Sequence, residues 1–128
     1  MSAATVRIAE RDVPALLEML DPLPGLPGRT SYLLEPLDET GVLFALRSQD
    51  EDAAPARLFV VDPTTPFPTY TPDLGGPEEH VALVVVHPPT DQVPATANLL
   101  APLIVDVATG RTVQAVQDED WPLRAPLG

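Results

Sequence analysis

The chain has 128 residues, with nineteen Asp and Glu against seven basic residues, all of them Arg, and a formal net charge of −12. Such a surface repels phosphate backbones and anionic lipid, which argues against direct nucleic-acid or membrane binding and for partners with basic or apolar patches. The absence of Cys rules out disulfides, thiolate nucleophiles and Cys-based metal sites.

Met1 to Asp12 carries neither a cationic nor an apolar signal-peptide region, so an intracellular, soluble protein is expected. Thr5 to Ile8 alternates weakly and reads as a first strand. Asp12 to Leu20 allows two readings: a helix capped by Asp12 with Pro14 in its first turn, or a buried strand along Ala15 to Leu20. Asp21 to Gly28, with three Pro and two Gly, is an irregular connection. Ser31 to Pro36 and Val42 to Arg47 form a predicted hairpin, because Asp38-Glu39-Thr40-Gly41 has turn chemistry. Gln49 to Pro55 is an acidic loop, and Arg57 to Val61 a strand ended by Asp62-Pro63. Pro66 to Leu74 is expected to hold a short helical turn, broken by Gly75-Gly76-Pro77.

Val81 to His87 is apolar on both alternating faces, the mark of a central strand covered on two sides. Val81 to Val86 is also the longest apolar run, far short of the roughly 20 residues that span a bilayer. Ala95 to Leu99 reads as extended. Leu103 to Val107 and Arg111 to Val116 pair around Ala108-Thr109-Gly110. Seventeen prolines punctuate these runs and oppose long helices. The pattern predicts an all-β fold, a small antiparallel β-barrel or sandwich with one or two short helical turns, built as one domain over residues 1–128.

The chemistry-bearing motifs of common enzymes do not occur. Without Lys there is neither a P-loop nor a Schiff base, and no Ser of the three sits in a nucleophile elbow. His80 and His87 are seven apart, so on one extended strand they face opposite ways and cannot share a metal; exposed strand-end histidines are expected. The acidic runs Asp50-Glu51-Asp52 and Asp118-Glu119-Asp120 lack the spacing and internal Gly of an EF-hand loop and read as solvated loops. Asp62 reads as closing a turn. No catalytic residue, metal or cofactor is expected.

Three segments, in order, resemble the FliW family. Leu23-Pro24-Gly25-Leu26-Pro27-Gly28 is similar to the family's L-P-G-F-x-G. Tyr32-Leu33-Leu34, Leu43-Phe44-Ala45-Leu46-Arg47-Ser48, Leu58-Phe59-Val60-Val61-Asp62-Pro63 and Pro68-Thr69-Tyr70 follow its strand, L-Q-S, F-V-V-x-P and x-x-Y series. Ala97-Asn98-Leu99-Leu100-Ala101-Pro102-Leu103-Ile104-Val105, then Gly110-Arg111, Gln114, Trp121 and Arg124, resemble its N-L-x-A-P-I-x-I-N, G and Q ending. Arg47, Leu26, Asp106 and Trp121 depart from the family's usual Gln, Phe, Asn and Tyr.

The resemblance implies a cytoplasmic flagellar assembly factor that binds flagellin, chaperone-like, and antagonises CsrA, a translational repressor, by protein–protein contact. Its alternative is an acidic β-barrel binding module without a flagellar role. Tyr70, Asn98, Pro102 and Gln114 are the candidate partner contacts that the resemblance marks. Each also has a framework reading: Tyr70 anchoring a loop by its ring, Asn98 bonding backbone, Pro102 starting a strand, Gln114 facing solvent. Asp50, Glu51, Asp52 and Asp118, Glu119, Asp120 are candidate electrostatic steering sites toward a basic partner such as CsrA. The oligomeric state stays open, with a monomer expected.

Overall fold

The computed structural model describes residues 5–8, 11–23, 26–51, 54–74 and 79–127. Eleven strands are defined there: β1 (Thr5–Ile8), β2 (Arg11–Pro14), β3 (Leu16–Met19), β4 (Ser31–Pro36), β5 (Leu43–Ser48), β6 (Arg57–Val61), β7 (His80–His87), β8 (Thr96–Ala97), β9 (Leu103–Asp106), β10 (Arg111–Gln114) and β11 (Ala125–Pro126). The all-β expectation holds. Pro66 to Leu74 carries isolated turns and no helix: the Phe67 N–H donates to the Pro63 carbonyl and the Tyr70 N–H to the Phe67 carbonyl. Among the described residues no helix is long and apolar enough to cross a membrane.

Seven strands close into a barrel in the order β7-β6-β5-β4-β3-β10-β9, and β9 bonds back to β7. Six of the seven junctions are antiparallel; β3 and β10 run parallel, with Arg111 beside Glu18 and Thr112 beside Met19. This seam departs from a purely antiparallel barrel. It exists because the first and the last strands of the barrel, β3 and β10, ascend the wall in the same direction. At the seam the Glu18 N–H donates to the Gly110 carbonyl, and the Leu20 N–H to the Thr112 carbonyl.

The double reading of residues 12–20 resolves as two strands. Asp12 caps no helix; it pairs with Arg7 across the β1–β2 hairpin, and Pro14 ends β2. Leu17 and Met19 then point into the barrel while Leu16 and Glu18 point out, the period-2 alternation of a strand. The hairpins at Asp38–Gly41 and Ala108–Gly110 form as expected, each with a positive-φ Gly. A Cβ on Gly110 would lie 2.6 Å from the Leu16 carbonyl oxygen, so only Gly lets the β9–β10 turn approach the seam.

Alternate residues of β7 serve two cores. Val81, Leu83 and Val85 face the barrel interior with Ile8, Leu17, Tyr32, Phe44 and Val60. Val84 and Val86 face an outer cluster with Val61, Tyr70, Ala97, Leu99 and Ala125, roofed by β8, β11 and the 63–74 segment. The strand covered on both faces is thus explained. His80 and His87 sit at its ends, yet neither is exposed as expected: both are half-buried, and the buried His87 Nε2 meets no hydrogen-bond partner among the described residues.

Candidate functional site

Asn98, Leu99, Leu100, Ala101 and Pro102 connect the outer roof to the barrel. Most of their backbone groups are bonded, some to partners far along the chain and some within a local turn. The Asn98 N–H donates to the Val85 carbonyl, and the Leu99 N–H to the Pro122 carbonyl. The Asn98 Oδ1 accepts from the N–H groups of Leu100 and Ala101 at 3.1 and 3.0 Å, an Asx turn. The Leu100 carbonyl accepts from the Gln117 N–H, and the Pro102 carbonyl from the Ala115 N–H. The Gln114 Nε2 donates to the Ala101 carbonyl at 3.2 Å.

Tyr70 closes the same knot from above. Its hydroxyl donates to the Leu99 carbonyl, and its ring meets Trp121 edge-on, centroids 4.8 Å apart at 86°. Tyr70 is 7% exposed, and burial pushes its phenol up to about 12. Gln117, which the sequence reading passed over, is also buried. Its Oε1 accepts from the Asp73 N–H at 2.6 Å, and its Nε2 donates to the carbonyls of Asp73 and Ala115. The only sequence signal for it was an amide side chain next to an acidic run. The four residues marked by the resemblance therefore converge on one segment. Pro102 is buried just before β9, and Gln114 is half-buried against Ala101 rather than open to solvent.

The two acidic runs part company. Asp50 is half-buried, and its Oδ2 accepts from the N–H groups of Thr30 and Ser31 at 2.9 and 3.0 Å, holding the start of β4. The Ser31 N–H, with further help from Thr30, holds the Asp50 carboxyl below its usual range. Glu51 is exposed, and Asp52 lies outside the described residues. Asp118, Glu119 and Asp120 are all exposed, directly after the knot. Asp62 is buried and its Oδ1 accepts from the N–H and hydroxyl of Thr64, so it closes a turn. Among the described residues no three His, Asp or Glu gather to hold a metal ion.

The FliW protein family model matches residues 2–127. The chain belongs to the FliW family. It is 32% identical over 132 residues to the flagellar assembly factor FliW 2 of Desulfotalea psychrophila, covering 94% of this chain and 85% of that protein. It is 31% identical over 121 residues to the flagellar assembly factor FliW of an Exiguobacterium species, covering 83% of this chain and 79% of that one. A crystal structure of the flagellar assembly factor FliW superposes with a TM-score of 0.72 at 18% identity, over 98% of this chain and 97% of that chain, a likeness of fold.

Within the family's pattern, the departures have local accounts. Arg47, in place of Gln, pairs with Glu35 across β4 and β5 at 3.3 Å. Leu26, in place of Phe, packs half-buried on the barrel core. The Asp106 Oδ1, as an Asn carbonyl would, accepts from the Ala108 N–H at 2.8 Å. Trp121, in place of Tyr, gives Tyr70 its ring partner.

Proposed function

We propose that this FliW-family chain is a flagellar assembly factor that works in the cytoplasm as a single binding unit, occupying flagellin and antagonising CsrA without catalysing a reaction. The observation that carries the reading is the family match along residues 2–127. The names of the two relatives, both flagellar assembly factors, support the flagellar role.

Charge supports the CsrA half of the proposal. A repressor that grips RNA presents positive surface, and a chain at −12 is steered toward it while being held off RNA. Asp118, Glu119 and Asp120 are the better steering candidates, since Asp50 is committed to the backbone of Thr30 and Ser31. Tyr70, Asn98, Pro102 and Gln114 serve this function indirectly, by holding the roof segments against the barrel.

The test is titration of the purified chain against flagellin and against CsrA over a range of salt. Binding to both is expected, with CsrA association falling more steeply as salt rises. Asp118→Asn, Glu119→Gln and Asp120→Asn together should slow CsrA association and flatten its salt dependence; an unchanged on-rate at low salt would remove the steering role. Binding to neither partner would leave the acidic barrel module without a flagellar role.

A further inference from the structure

Ladder register places an apolar row on the outside of the barrel, across the parallel seam. Ala82 lies beside Ile104, and Ile104 beside Val113. The Leu20 N–H bonded to the Thr112 carbonyl extends the row to Leu20. A second row runs alongside: Glu18 beside Arg111, next to Asp106, next to His80. Between them lies a groove of about 270 Å³, lined by Leu20, Leu74, Ile104, Val113, Asp106 and Arg111. Leu20 is 60% exposed and Val113 38%, although the barrel core needs neither, while Ile104 beside Val113 is itself buried.

We infer that this groove is a docking surface for an amphipathic helix with one apolar stripe and a basic flank, supplied by a protein partner. The inference rests on the binding role proposed above and gives it a location. Spacing argues for a helix. Neighbouring strands stand about 4.8 Å apart, so the outer row repeats at nearly the ~5.4 Å pitch of a helix laid across them. An extended segment repeats its same-face side chains at about 6.8 Å and drifts out of step. Charge argues for the basic flank. Arg111 stands between Glu18 and Asp106, and Asp21 follows Leu20, so the margin is acidic.

The test uses the full chain and two synthetic amphipathic helices with the same Leu stripe, one flanked by Lys and one by Glu. The Lys-flanked helix should bind at least about tenfold more tightly, and Leu20→Lys should weaken it by about tenfold, the effect of losing one buried Leu contact. Val93→Lys, at an exposed apolar residue on another loop, makes the same charge change and should alter binding less than about twofold. Val113→Thr, which keeps the β-branched shape of the strand, should weaken binding in the same direction as Leu20→Lys. Equal effects of Leu20→Lys and Val93→Lys, or equal binding of the two helices, would overturn the surface. Flagellin is measured on the same variants. A wild-type chain that holds the Lys-flanked helix but neither flagellin nor CsrA keeps the surface and loses the functional reading. Flagellin binding untouched by Leu20→Lys does the reverse.

Discussion

The two tyrosines of the chain live in opposite environments. Tyr32 is fully buried inside the barrel, where its hydroxyl meets no hydrogen-bond partner among the described residues. Tyr70 is buried outside the barrel, where its hydroxyl donates to the Leu99 carbonyl and its ring to a contact with Trp121. The barrel interior is held by apolar burial and tolerates an idle polar atom at some cost. The knot beneath the roof is held by directional bonds, so each lost partner strands another group.

The contrast can be broken most severely at the seam. Gly110→Ala forces a Cβ onto the Leu16 carbonyl oxygen at positive φ, and should remove about 2 kcal/mol or more of stability by urea denaturation. Gln117→Ala should come next, at about 1–3 kcal/mol, because the Asp73 backbone loses both of its bonds to that side chain. Tyr70→Phe should cost about 1 kcal/mol, leaving the Leu99 carbonyl without its donor, whereas Tyr32→Phe should be neutral or slightly stabilising. Equal losses for the two Tyr→Phe variants would erase the distinction between the regions.

Proton titration sharpens the comparison further. Burial raises both phenols, Tyr70 to about 12, and Arg29 partly opposes the rise at Tyr32. A raised folded value means that the contribution to stability is complete below the ordinary value of 10 and is lost as pH climbs through the folded value. The folded protein should therefore show less tyrosinate absorbance at pH 10 than the denatured chain, which shows about half of its full signal, and Tyr70 should contribute almost none. Asp50 has the opposite sign: its lowered carboxyl gives a contribution present above the ordinary 3.8 and lost only at still lower pH. Asp50→Asn should consequently lower the melting temperature at pH 7 by a few degrees at most, with the difference from wild type shrinking in strong acid.

What could be read from the sequence was mostly local. Asp38–Gly41 and Ala108–Gly110 announced their hairpins because turn chemistry sits within four residues. Residues 57–61 matched β6 because Asp62 and Pro63 stop the strand. Residues 12–20 stayed ambiguous because they split into two strands, and the second of them takes its partners at 31–33 and 111–112, far along the chain. The N-L-x-A-P element was visible as a pattern, yet its bonds reach Val85, Gln114, Gln117 and Pro122, and no spacing rule encodes those distances. The short helical turn expected near Pro66 takes the form of isolated turns, one of them closed by the Phe67 N–H on the Pro63 carbonyl, and the Tyr70 hydroxyl then ties the segment to Leu99.

The parallel seam also orders events in time. Glu18 and Arg111 are neighbours in the wall, so the ring stays open on the ribosome until Arg111, far along the chain from Glu18, has been synthesised. Every earlier hairpin waits as an unsealed sheet, with β3 presenting a free edge. Completion of the barrel and arrival of the acidic stretch at 118–120 thus fall within a few residues of each other, and a nascent chain gains its finished wall and that negative cluster almost together.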